Sequence, residues 1–198
     1  SVIVVCKRWK ALSKEYWRSV KVLDLSYPKW GSLSGRNGKK ISKYIIRDVL
    51  LRCGSYLRKI NLSLVPYNVP QNIVNVIGKY GPNLRVIDIT GVTVSTFDIN
   101  SLINNCRHIT KFSVGPTVRA YQYICDKDLQ KLFKRNPNLR YFKAFKTSMS
   151  GKCLLHLPLE TIEIDLECCT RLQQNSLAQV KLSVYFNCLQ KNLILTSN

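Results

Sequence analysis

The chain has 198 residues, 31 Lys and Arg against 11 Asp and Glu, and a formal net charge of +20. Its 45% hydrophobic content is enough for a sizeable core, which excludes a wholly disordered chain despite the charge. Apolar runs reach only about five residues, far short of the roughly 20 that span a bilayer, so a transmembrane helix is excluded. The charge bears on partners rather than on fold, and points to an acidic partner, a phosphorylated one or nucleic acid.

The first expected element is a helix within residues 1–19. Val2, Val5, Trp9, Leu12 and Tyr16 recur at three- and four-residue spacing, which gives the helix one strongly apolar face. The sequence opens on Ser1 and its only Met is Met149, so a processed or partial sequence is expected. Val2 to Val5 is too short for a signal-peptide core, and the basic run follows it rather than preceding it. The eight Cys are too sparse for a disulfide scaffold and are read as reduced thiols of a cytosolic or nuclear protein.

Beyond residue 19 one pattern recurs: apolar, two residues, apolar, one residue, apolar. It places Val20, Leu23 and Leu25, then Leu57, Ile60 and Leu62, then Leu84, Ile87 and Ile89. Ile109, Phe112 and Val114 follow, then Leu139, Phe142 and Ala144, and finally Leu159, Ile162 and Ile164. From Leu57 the steps are 27, 25, 30 and 20 residues, and the first, from Val20, is 37. Each hexad reads as a short strand with one buried and one wet face.

Amphipathic stretches lie between the hexads. Ile41, Tyr44, Ile45, Val49 and Leu50 are spaced for one helix face; so are Ile73, Val76, Ile77 and Tyr80, and Leu129, Leu132 and Phe133. Gly81-Pro82-Asn83 and Asn136-Pro137-Asn138 stop the second and third of these and lead into the next strand. Strand, loop, helix and turn every 20 to 30 residues predict an α/β solenoid, in which one unit cannot bury its own face but a stack can. Past residue 170 the pattern fades to one more helix, Leu172 to Val180, and a degenerate strand region, Val184 to Leu195.

This pattern resembles the cysteine-containing leucine-rich repeat, whose helix ends near Cys-Pro-Asn-Leu before each strand. Cys53 precedes Leu57 and Cys106 precedes Ile109, while two other units read Gly-Pro-Asn-Leu and Asn-Pro-Asn-Leu. The front end, with Val5-Cys-Lys-Arg-Trp9, Leu12, Trp17 and then Val22-Leu-Asp-Leu-Ser26, resembles the C-terminal half of an F-box running into its first repeat. The resemblance implies an F-box remnant at 1–19, leucine-rich repeats at 20–170 and a degenerate last repeat or tail at 171–198. It further implies short parallel strands lining a concave face, with helices outside. Val5, Trp9 and Leu12 then contribute to the surface for a Skp-type adaptor, and the chain serves as substrate receptor of a cullin-based SCF ubiquitin ligase.

No enzyme signature accompanies the repeats. The acids are few, and Glu163, Asp165 and Glu167 alternate with Ile162, Ile164 and Leu166 as a solvated strand face would. Cys153, His156, Cys168 and Cys169 lack tidy paired zinc spacing and are read as buried structural thiols with a core histidine. Gly35 to Lys40 lacks phosphate-loop spacing and reads as a basic loop. No catalytic, metal or cofactor site is expected.

A binding role remains. The non-core hexad positions on the concave face are Lys21 and Asp24, then Arg58, Lys59 and Asn61, Arg85 and Asp88, Lys111 and Ser113, then Arg140, Tyr141 and Lys143, with the acidic trio Glu160, Glu163 and Asp165 at the end. The face is therefore expected to be basic along most of its length and acidic at the end. The guanidinium fork bonds two oxygens at once, so this ladder is expected to hold an acidic or phosphorylated protein target. An interaction module unconnected to ubiquitin is the alternative. Nucleic-acid binding is the weaker third reading, since no zinc finger, RNA-recognition motif or helix-turn-helix signature is present.

Overall fold

The computed structural model describes residues 7–26, 43–63, 72–116, 124–178, 180 and 185–187. Helix α1 (Lys7–Ser19) leads into strand β1 (Val22–Asp24). Then come α2 (Lys43–Cys53), β2 (Lys59–Asn61), α3 (Ile73–Tyr80), β3 (Val86–Thr90), α4 (Thr96–Asn105) and β4 (Lys111–Gly115). The chain continues with α5 (Asp126–Arg135), β5 (Tyr141–Phe145), a 3-10 helix (Lys152–His156), β6 (Glu163–Glu167), α6 (Gln174–Ala178) and β7 (Tyr185–Asn187).

The protein is α/β, with one all-parallel sheet whose strand order, β1 to β7, is the order of the sequence. Parallel neighbours need a crossover connection, and helices supply it between β2 and β5. The hexads of β2 to β5 pair in register, with Ile60 beside Ile87, Ile87 beside Phe112 and Phe112 beside Phe142. That row and the row of Leu62, Ile89, Val114 and Ala144 are fully buried. Burying each such large side chain contributes roughly 1.5–3 kcal/mol. Phe142 stacks on Phe112 at 6.4 Å between ring centres and meets Phe133 of α5 edge-on at 4.9 Å, which ties helix layer to sheet.

The last hexad differs from the sequence reading. Ile164 pairs with Phe142, so the unit is 161–166 rather than 159–164. Leu159 and Ile162 are 76% and 49% exposed, while Ile164 and Leu166 are buried. Ile162, Ile164 and Leu166 alternate here, so two frames offset by two residues share Ile164, and period two alone cannot choose between them. The residue at the first hexad position is Thr161, buried, with its hydroxyl donating to the Leu139 carbonyl at 3.0 Å. The sheet also continues past residue 170 into β7, where Phe186 pairs with Ile164.

Helix faces follow the expected spacing for α3 and α5, where Ile73, Ile77, Leu129, Leu132 and Phe133 are buried. In α2 the buried residues are instead Ile46, Leu50 and Cys53, at intervals of four and three, while Tyr44 and Ile45 are exposed. Several apolar residues crowd this helix, and the i, i+4, i+7 set that ends at Cys53 wins the core. Helix α4 is started by a capping box: Ser95 accepts from the Asp98 backbone at 3.2 Å and Asp98 accepts from the Ser95 backbone at 2.9 Å. Helices α3 and α4 approach so closely at Gly78 that a Cβ there would sit 2.6 Å from Ser101 Oγ and 2.8 Å from the Leu102 nitrogen.

Candidate functional site

The sheet face turned away from the core carries two rows of side chains. One row runs Val22, Lys59, Val86, Lys111, Tyr141 and Glu163; the next runs Asp24, Asn61, Asp88, Ser113, Lys143 and Asp165. With Glu167 on the rim, these strands hold three lysines and five carboxylates, with Asp24 and Asp88 among the lysine layers and Glu163, Asp165 and Glu167 at the end.

Much of this polarity is already used within the chain. Asp24, Asn61 and Asp88 each accept the backbone N–H two residues on, at 3.1, 2.9 and 3.0 Å, and so are bonded to their own chain. Lys143 donates to Asp165 at 2.7 Å and to Glu167 at 3.4 Å. Partial burial opposes the Lys143 charge, but the bonds and charges of those two acids outweigh it and raise its pKa. Lys111 lies 5.3 Å from the Tyr141 ring centre. Lys111, Tyr141, Lys143 and Asp165 line a depression of about 140 Å³ with Asp88, Ser113 and Glu163.

The arginines lie elsewhere. Lys21, Arg58, Arg85, Thr110, Arg140 and Ile162 occupy the second hexad position, just before each strand. Their backbones form a ladder: Arg58 N–H donates to Lys21 O, Arg85 to Arg58, Thr110 to Arg85, Arg140 to Thr110 and Ile162 to Arg140, at 2.7–2.8 Å. In each case the next residue's N–H donates to the same carbonyl at 3.0–3.2 Å, so the second position lies ahead of the regular strand pairing, at the edge where the strands begin. Arg58 points back along this edge, its Nη1 donating to the Asn83 carbonyl at 3.2 Å. Arg85 and Arg140 are exposed. Arg58, Arg85 and Arg140 are therefore collected at one edge, while Lys59, Lys111, Tyr141 and Lys143 are collected on the face.

Of the expected adaptor residues, Val5 lies outside the described residues and Trp9 is placed on α1. Leu12 is on α1 and 52% exposed, and Tyr16, one turn on, is 68% exposed. The helix is held from its other side, where Trp17 packs on the core and receives the Arg52 guanidinium at 5.8 Å. An apolar strip is thus left facing solvent.

A second cavity, of about 360 Å³, lies among Asp126, Gln130, Cys153, His156, Gln173 and Ser176. Spacing gave no hint of it, because it is assembled from three separate elements. Asp126 accepts the Ser150 and Cys153 backbone N–H at 2.7 and 3.0 Å, and His156 Nε2 lies 2.7 Å from Gln130 Nε2. Cys153 and Cys169 are buried and Cys168 is half-buried. Burial first, and the nearby Asp126 charge next, push the Cys153 thiol well up, away from reactive thiolate character. Among the described residues no group of three or more His, Cys, Asp or Glu is arranged to hold a metal ion.

No protein-family model matches the chain, and no curated protein matches it.

Proposed function

We propose that the chain is a leucine-rich-repeat solenoid and the substrate-holding part of an SCF-type ubiquitin ligase, with α1 as the C-terminal part of its F-box. The observation that carries this reading is the sheet order: strands added one by one in sequence order, with hexads of β2 to β5 in register. A stack of that kind grows by nearest-neighbour contacts alone. The exposed Leu12 and Tyr16 strip on α1 supports an adaptor contact at the first layer. Such a receptor has no catalytic residue of its own; it raises the concentration of its target near the ubiquitin-loaded enzyme.

The test is co-purification of the protein, expressed from its full reading frame, with a Skp-type adaptor and cullin. Co-elution is expected, and Trp9→Ala with Leu12→Ala should reduce it at least about tenfold, the scale of an interface hot spot. Absence of co-elution from a folded protein overturns the ligase reading and leaves a repeat module that binds protein without ubiquitin.

A further inference from the structure

The charges of this chain sort by edge. The sheet is parallel and each crossover runs from a helix end to a strand start, so the C-termini of α2 to α5 and the starts of β2 to β5 share one edge. The segments joining them, 52–58, 79–85, 105–110 and 134–140, hold two, two, one and three Lys or Arg and no Asp or Glu. Carboxylates begin the helices at the opposite edge, with Asp98, Asp126 and Asp128 in first helical turns. The basic edge stops at the sixth layer, where Glu160 and Glu163 flank the strand start.

Cations at helix ends also complement the helix dipoles, which accounts for Arg52, Lys79, Lys134 and Arg135. It does not account for Arg58, Arg85 and Arg140, which follow the turn and sit at strand starts. Of these, Arg58 is turned to Asn83, whereas no hydrogen bond or ion pair among the described residues engages the guanidinium of Arg85 or Arg140. Their layers repeat at about 4.8 Å, so a chain laid across the edge meets a cation at nearly every layer.

We propose that this edge, rather than the sheet face, is the docking surface for an extended acidic protein segment, its carboxylates or phosphates held by Arg85 and Arg140. The inference rests on the partner-holding role proposed above, and not on the ubiquitin link. The face is the poorer candidate because its five carboxylates repel such a segment and its Lys143 is already paired. A protein segment is favoured over single-stranded nucleic acid by the aromatics of the edge. Lys21 lies over the Tyr56 ring at 5.5 Å, Lys79 over Tyr80 at 5.6 Å and Arg52 over Trp17 at 5.8 Å. Ring faces covered in this way are not open platforms for base stacking.

The test is fluorescence anisotropy of the full chain with a labelled Glu-rich peptide, its phosphoserine version, its Gln version and an oligouridine of equal length. Binding of the Glu or phosphoserine peptide, weakening with salt and absent for the Gln peptide, is expected. The comparison of those two peptides tells carboxylate from phosphate. Arg85→Glu with Arg140→Glu should weaken binding at least about tenfold, and Lys59→Glu with Lys111→Glu by less than about threefold. All four positions are exposed, so folding is preserved and is checked by thermal melting. An equal or larger loss from the face pair, tighter binding of oligouridine, or no saturable peptide binding overturns the proposal. Each of these outcomes leaves the adaptor co-purification untouched, so the two readings fail separately.

Discussion

Asn136 completes the backbone of two elements at once. Its Oδ1 accepts the Ile109 N–H at 2.9 Å and its Nδ2 donates to the Leu132 carbonyl at 3.0 Å, all fully buried. One bond seals the end of α5 and the other fixes the start of the preceding layer. The residue lies three positions before its hexad, where the layer before has Cys106, whose thiol donates to the Gly81 carbonyl at 3.4 Å. The same position thus ties neighbouring layers by a weak thiol bond in one unit and by a two-sided amide bond in the next.

Asn136→Ala should therefore leave a buried donor and a buried acceptor unpaired. The expected loss is about 2–4 kcal/mol, read from the urea midpoint at unchanged m. Asn138→Ala, two residues on and exposed, should cost under about 0.5 kcal/mol. Equal effects at the two positions would remove Asn136 from this role.

The register of the last hexad is testable in the same way. Ile164→Ala and Leu166→Ala open cavities in a packed core and should each cost about 2–5 kcal/mol. Leu159→Ser and Ile162→Ser fall on exposed positions and should cost under about 0.5 kcal/mol. The reverse ranking would restore the 159–164 unit.

This two-residue offset shows where sequence patterning stops. Hexads led by Leu57, Leu84, Ile109 and Leu139 were legible because a turn signal or a helix end precedes each one. Before Thr161 only a 3-10 helix, Lys152–His156, separates the strands, so no long helical period marks the boundary. The candidate site was legible as a set of residues but not as a surface. Lys111 and Arg85 look equivalent in a row of non-core positions, yet Arg85 precedes its strand, at the edge, while Lys111 begins one and pairs within the sheet. The ion pairs of Lys143 and the turn bonds of Asp24, Asn61 and Asp88 depend on three-dimensional neighbours, and composition cannot distinguish such charges from free ones.

Asp126 gives a pH signature. Burial alone would raise its pKa, but the Ser150 and Cys153 N–H groups bond the carboxylate and lower it below the ordinary range. A folded pKa below the unfolded one makes the contribution present above about pH 4 and lost as pH falls below it. Asp126→Ala should cost about 2–4 kcal/mol at neutral pH by leaving two charge-assisted bonds unmade. The gap between wild type and variant should close on acidification, as read by urea titrations at about pH 7, 5 and 3. A gap that stays constant would show that the carboxylate charge contributes nothing.

Cys106 has the opposite sign. Its thiol is fully buried, and burial pushes its pKa from an ordinary 9.0 up to about 12. The folded value exceeds the unfolded one, so stability is complete below about pH 9 and is lost as pH rises, because the unfolded chain releases its proton first. The loss approaches about 1.4 kcal/mol per pH unit for each such thiol, and Cys153, also shifted upward, acts in the same direction. Cys106→Ala should make the decline between about pH 9 and 11 shallower by roughly that slope. Maleimide labelling at neutral pH should meanwhile modify the exposed Cys125 well before Cys106. Labelling of Cys106 at the rate of Cys125 in the folded protein, or an unchanged alkaline slope in the variant, would place the Cys106 thiol in contact with solvent rather than between layers.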